Sequence, residues 1–321
     1  MKIYLSGTRN WYSYFARWID KWGPIPLDAP QMVRCFPSYW YEKKNPHEIL
    51  TSMPGDDVIL DSGAHTLFSS YGLSVWAGKI NKEEMPDLDD YIRGYLRFLK
   101  KNWERIDYYV ELDVAELVGM DKVRAMRQDF MAAGLWAKCI TAWHPPNGLK
   151  DFDWMLDHAE SRFVAMEGIR PDRDPLPFNW FIKKCYDQRI RIHVFASMAD
   201  KFLRAYPFYS VDCASWLNPA MYGVRMYWNG QQIKSQATQR GTGSFHALKP
   251  VAARLKEAIE GYRQAEQFYT AYWKAKGIDW DAQVQHETRD HRSSPQQAEA
   301  RSLELQAVSH AGATGEVETV D

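Results

Sequence analysis

What most constrains this chain is a pattern that recurs along it. A short apolar run, rich in β-branched or aromatic residues, ends in a polar residue or glycine and gives way to a helix-like segment. It does so eight times. The runs cover residues 2–6, 32–39, 58–61, 108–113, 138–144, 163–167, 190–195 and 208–212. Helical periodicity lies between them at 11–22, 88–102, 121–133, 149–160, 178–187 and 200–205, with only 46–52 between the second and third runs. A last helix is predicted over 250–275, with Pro250 in its first turn, where the missing N–H does no harm. Strands alternating with helices make a parallel sheet, and eight repeats close it into a barrel. No Gly-rich dinucleotide fingerprint follows the first run, which weakens the open doubly wound alternative. The predicted fold class is therefore α/β: a (β/α)8 TIM-type barrel over 1–275. A β-hairpin, signalled by Asn229-Gly230 within 225–234, follows the eighth strand.

Beyond the last helix the composition turns to Gln, Ala, Ser, Glu and Gly, so 276–321 is predicted to be a disordered polar tail. His286 and His291 in that tail are five apart, whereas a helical zinc-protease pair needs four. Four cysteines, Cys35, Cys139, Cys185 and Cys213, form no CxxC pair, which excludes a zinc ribbon and a disulfide framework and fits a reducing compartment. With no apolar stretch long enough for a bilayer, the expected location is the cytoplasm, that of the host if the protein is viral.

Net charge is −1, yet the charge is unevenly spread. From 213 to 256 there is no Asp or Glu, while Arg225, Lys234, Arg240, Lys249, Arg254 and Lys256 are present. Trp216, Tyr222, Tyr227, Trp228 and Phe245 are interleaved with them. Cations with aromatics suit phosphate contact plus base stacking; a solvated face over core aromatics is the competing explanation.

In a barrel of this kind the reacting groups sit where strands end, which singles out Asp61, Asp113, His144, Glu167, His193 and Asp212. A carboxylate there is costly unless hydrogen-bonded or employed. A ring of carboxylates suits glycosyl transfer through a covalent intermediate, glycoside hydrolysis or a hard metal ion, and composition does not choose among them.

Local wording narrows the choice. Val58-Ile59-Leu60-Asp61-Ser62-Gly63-Ala64 resembles the Asp-Ser-Gly-Gly strand end of tRNA-guanine transglycosylases. Tyr206-Pro207-Phe208-Tyr209-Ser210-Val211-Asp212-Cys213-Ala214-Ser215-Trp216 resembles the strand carrying that family's nucleophilic aspartate, in the wording of its short, bacteriophage-associated branch that inserts 7-deazaguanine bases into DNA. The run at 109–113, Met166-Glu167-Gly168, His193-Val194-Phe195 and the hairpin fall in the family's order, over about 210 residues. Two departures stand out. The three cysteines and histidine of the family's zinc subdomain have no counterpart, so no metal is expected. Ala64-His65-Thr66 replaces Gly-Phe-Gln, and Glu167 stands where a glycine is usual, in a region that lines the family's base pocket.

The resemblance implies a pentosyltransferase in which Asp212 attacks the sugar C1′ of a guanosine unit while Asp61 serves as acid and base. Asp113 would accept from the donor edge of the base, with a helix cap as its alternative role. Ser62, Gly63, Glu167 and Gly168 would surround the base, with His144 and His193 as weaker substrate contacts. Arg225, Lys234 and Arg240 would meet the nucleic-acid backbone. The expected partners are a nucleic acid, DNA favoured over tRNA, and a 7-deazaguanine such as 7-cyano-7-deazaguanine. No cofactor is expected, and a homodimer or partner subunit is expected by analogy alone. The alternatives are a retaining glycoside hydrolase on the same barrel and a non-catalytic nucleic-acid-binding subunit.

Overall fold

The computed structural model describes residues 1–7, 34–43, 57–70, 87–168, 177–237 and 248–283. Eight parallel strands form a closed barrel in chain order. They are β1 (Lys2–Ser6), β2 (Arg34–Phe36), β3 (Asp57–Leu60), β4 (Tyr108–Val110), β5 (Cys139–Trp143), β6 (Phe163–Met166), β7 (Arg191–Val194) and β8 (Ser210–Cys213). Closure is made by β1 beside β8, where Lys2, Ile3, Tyr4 and Leu5 face Ser210, Val211, Asp212 and Cys213 in register. Every residue of β5, β6, β7 and β8 is buried, as expected of strands covered on both sides, and this is why their runs lack alternation.

The helices outside the strands are α1 (Tyr39–Glu42), α2 (Ala64–Ser70), α3 (Leu88–Lys101), α4 (Ala115–Val118), α5 (Met120–Ala132), α6 (Leu149–Asp157), α7 (Phe178–Asp187) and α8 (Asp200–Ala205). The predicted segments at 11–22 and 46–52 lie outside the described residues. In α3 the buried residues Leu88, Tyr91, Ile92, Tyr95, Phe98 and Leu99 recur at helical spacing. Asp87 caps its first turn by accepting from the Asp90 N–H at 3.0 Å. This face packs with Tyr39, Tyr109 and Phe130 in an aromatic layer between strands and helices.

Strand β4 is shorter than the predicted run of 108–113, and the reason is local. The Tyr95 hydroxyl donates to the Val110 carbonyl at 2.8 Å, and the Ala142 N–H of β5 is taken by the Glu111 carboxylate at 2.7 Å. Side chains thus occupy backbone groups that a longer ladder would need.

After β8 come α9 (Asn218–Tyr222) and a hairpin of β9 (Val224–Trp228) and β10 (Ile233–Ala237). The loop, 229–232, is stabilised by the Asn229 side chain, which accepts from the Gln231 and Gln232 N–H groups at 3.0 and 2.9 Å. Helix α10 (Leu248–Lys274) packs along β9 and against β1. Gly261 is where it approaches the hairpin, since a Cβ there would lie 3.1 Å from the Trp228 nitrogen.

The four cysteines are buried thiols, none of them in a disulfide. Among the described residues no helix is long and apolar enough to cross a membrane. The chain divides into two compact units, Met1–Ile278 and Asp279–Asp321. Within the second unit only 279–283 are described, a turn in which Asp279 accepts from the Asp281 and Ala282 N–H groups. The rest of the predicted tail lies outside the described residues.

Candidate active site at the barrel mouth

The six candidates gather along the C-terminal halves of the strands. Asp61, His144 and Glu167 immediately follow β3, β5 and β6, and Asp113 lies three residues past β4. His193 and Asp212 lie inside β7 and β8 rather than beyond them, so their side chains are buried within the barrel.

The Asp61 backbone is held by its neighbours on β2. Its N–H donates to the Pro37 carbonyl and its own carbonyl accepts from the Tyr39 N–H, both at 2.8 Å, in a bridge that pairs it with Ser38. Its side chain accepts from the Gly63 N–H at 3.1 Å. Burial pushes this carboxyl up to about 6; the negative charges of Asp212 and Asp113 push the same way, and the Gly63 contact opposes them. Gly63 has φ +76, and a Cβ there would sit 2.7 Å from the Trp40 nitrogen and 2.8 Å from the Tyr91 hydroxyl. That hydroxyl donates to the carbonyl of buried Ser62 at 2.8 Å, so the Ser62-Gly63 turn is fixed from behind.

Asp212 is held by two contacts on one oxygen. Oδ1 accepts from the Ala196 N–H at 2.7 Å and lies 3.3 Å from His193 Nε2. The ring presents Nε2 to this oxygen and Nδ1 to the Ser210 hydroxyl, 2.9 Å away. The ring itself lies on Phe36, with centroids 5.5 Å apart and planes 9° from parallel. Phe163 and Phe195 close around it edge-on. Ala196 takes a left-handed conformation, φ +51, to aim its N–H at Asp212. Neither Ser210 nor Ala196 stood out in the sequence. A backbone donor has no sequence signature, and Ser210 reads as an ordinary strand residue.

A second unit joins three strand ends. His144 Nε2 lies 2.6 Å from Asp113 Oδ2, and Nδ1 lies 3.1 Å from Glu167 Oε2. The ring is held between two carboxyl groups, one at each nitrogen. Glu167 and His144 are buried, while Asp113 keeps the greatest exposure of the three and faces the mouth. His144 thus links the two carboxyl groups. Gly168, next to Glu167, has no room for a side chain, because a Cβ would strike the Phe195 carbonyl and the Ser197 hydroxyl.

The cations are arranged differently from the expectation of a free basic face. Arg225 on β9 is exposed but engaged by Glu257 of α10, with Nε 2.8 Å from Oε2, and it lies over the Tyr227 ring. The acid-free segment ends one residue before the acid that neutralises its first cation. Lys234 on β10 is exposed, and Arg240 lies outside the described residues. Sequence reading also missed a buried cluster of Glu111, Arg127 and Asp151 behind β4 and β5. Its signal was present: Glu111 is an acid inside an apolar run, two residues before Asp113.

Chemically, the mouth offers one carboxyl whose proton affinity is raised to about 6 and a second that is oriented through one oxygen. It also offers a fixed imidazole that supports a third. Among the described residues no three His, Cys, Asp or Glu side chains form a metal-binding group. No protein-family model matches the chain, and no curated protein matches it. Among solved structures, a protein from Aquifex aeolicus VF5 is similar at 12% identity and a TM-score of 0.36, over 78% of this chain and 98% of that one, a likeness too distant to carry an argument.

Proposed function

We propose that the protein is a base-exchange transglycosylase that replaces guanine in a nucleic acid, DNA in preference to tRNA, with a 7-deazaguanine derivative. The observation that carries this reading is the pair of carboxyls at the mouth, Asp212 fixed through one oxygen with the other unoccupied by Ala196 and His193, and Asp61 buried across from it. Asp61 holds its proton up to about 6, and the charge of Asp212 helps to keep it there. Two carboxyls in opposite roles need environments of this kind.

In this reaction Asp212 Oδ2, the oxygen not occupied by Ala196 and His193, attacks C1′ of the sugar. The C1′–N9 bond breaks, guanine leaves with the proton of Asp61, and the sugar is held as an ester of Asp212. Asp61, now a carboxylate, removes the proton from the incoming base, whose nitrogen attacks C1′ and releases Asp212. Asp113 accepts from the donor edge of the base, and His144 and Glu167 hold Asp113 in place. The Ser62-Gly63 and Glu167-Gly168 turns supply close-packed backbone around the base. The target base must leave its stack for C1′ to be reached.

The test is mass spectrometry of nucleosides from guanine-containing DNA and, separately, bulk tRNA, each incubated with the protein and 7-cyano-7-deazaguanine. Incorporation into one polymer supports base exchange and identifies the acceptor. Loss of guanine without incorporation marks a hydrolase, and binding without any change marks a non-catalytic subunit. In a supporting result, Asp212→Asn, which is nearly isosteric, binds nucleic acid but forms no covalent adduct. Full turnover by that variant would remove the nucleophile assignment.

A further inference from the structure

Behind β4 and β5 lies a buried ionic cluster that touches none of the mouth groups directly. Arg127 of α5, 1% exposed, donates through Nε and Nη2 to the two oxygens of Glu111, each at 2.8 Å, and through Nη1 to Asp151 of α6 at 2.7 Å. Its guanidinium lies 4.7 Å from the centre of the Trp154 ring. A buried charge group of this kind is weak evidence for added stability, because desolvation offsets much of the attraction. Where its contacts lead is more informative. Glu111 Oε1 also accepts from the Ala142 N–H at 2.7 Å. Glu111 stands two residues before Asp113, and Ala142 stands two residues before His144. At the far side, Asp151 accepts from the Asn147 side chain at 3.3 Å, in the turn that immediately follows His144.

We propose that Glu111, Arg127 and Asp151 are positioning residues whose task is to hold the exits of β4 and β5 so that Asp113 and His144 meet. The ordinary ladder stops short of doing this: its last backbone bond between the two strands is from the Glu111 N–H to the Ile140 carbonyl at 2.9 Å, and the Val110 carbonyl receives the Tyr95 hydroxyl. Past that point the Glu111 carboxylate replaces the missing backbone partner of Ala142, and Arg127 fixes the turn of that carboxylate by donating to both of its oxygens. Asp113 leaves the ladder and its Oδ2 comes to 2.6 Å from His144 Nε2. The inference concerns this geometry and does not rest on the reaction proposed above.

The experiment reads the His144 ring directly, by proton–nitrogen correlation spectra of the labelled full chain at one pH, with the resonance identified by its loss in His144→Gln. The parent should show a His144 ring N–H shifted downfield and slow to exchange. Glu111→Gln keeps the side-chain shape and an oxygen for Ala142 but loses the negative charge that faces Arg127, and Asp151→Asn removes the other anion. Each should abolish that resonance or return it to the position of a solvent-exposed ring. Glu266→Gln, which removes an anion paired with Arg34 at the opposite end of the barrel, should leave the resonance in place. An unchanged resonance in both Glu111→Gln and Asp151→Asn would overturn the proposal, and so would equal displacement in Glu266→Gln. Should Glu111→Gln fail to fold, Asp151→Asn against Glu266→Gln decides the matter.

Discussion

At the scale of single residues, the mouth is governed by desolvation and by backbone conformation. Asp61 binds its proton more tightly folded than unfolded, since its carboxyl is pushed from 3.8 to about 6. The sign follows: this group costs nothing while protonated in both states, and stability falls as pH rises from about 4 through 6. The full cost, on the order of 3 kcal/mol, is present above that window. Asp61→Asn should therefore be more stable than the parent at pH 7.5 by on the order of 2 kcal/mol and equal to it near pH 4, as urea unfolding at the two pH values will show. A difference that grows as pH falls would contradict the burial of this carboxyl. Ala196 tests the backbone in the same way. At φ +51 glycine fits and a β-branched side chain does not. Ala196→Gly should hold stability within about 1 kcal/mol, whereas Ala196→Val should lose about 2 kcal/mol and release the Asp212 carboxylate, checked by thermal unfolding.

At the scale of elements, the periodicities placed most helices and all eight strands, because a buried stripe or run is written directly in residue types. Helices α7 and α8 match their predicted bounds, and α3 differs by one residue. Strand ends were less legible. The predicted run at 108–113 counted Glu111, Leu112 and Asp113 as strand, and side chains from α3 and from Glu111 itself end the ladder earlier. The hairpin was signalled by Asn229-Gly230, but nothing in those residues said that it would lie on α10. Gly261 allows that approach, with the Trp228 nitrogen 3.1 Å from where its Cβ would be. Gly261→Leu should force hairpin and helix apart, at a cost of roughly 1–3 kcal/mol in chemical unfolding.

At the scale of the whole molecule, the question is how a chain of net charge −1 would engage a polyanion. Local charge answers only in part, because Arg225 is already matched by Glu257 while Lys234 stands exposed, with no acidic partner among the described residues. If nucleic acid binds across β9 and β10, Lys234→Ala should reduce the slope of log affinity against log salt by about one. Arg225→Ala should change it less, since its charge is already neutralised. Equal slopes for parent and Lys234→Ala, measured by fluorescence anisotropy, would move the binding face elsewhere.

What the sequence determined by itself was the architecture and the membership of the mouth. Eight apolar runs alternating with amphipathic segments have few ways to bury their surfaces, and closing the sheet brings Asp61, Asp113, His144, Glu167, His193 and Asp212 to one end. What only the tertiary structure decided was who partners whom. That His193 faces Asp212 while His144 spans Asp113 and Glu167 depends on strand register and tilt, which no local pattern encodes. The raised carboxyl of Asp61 has the same origin. Desolvation and charge coupling act through space, between residues about 150 positions apart in the chain, and they exist only once the barrel has closed.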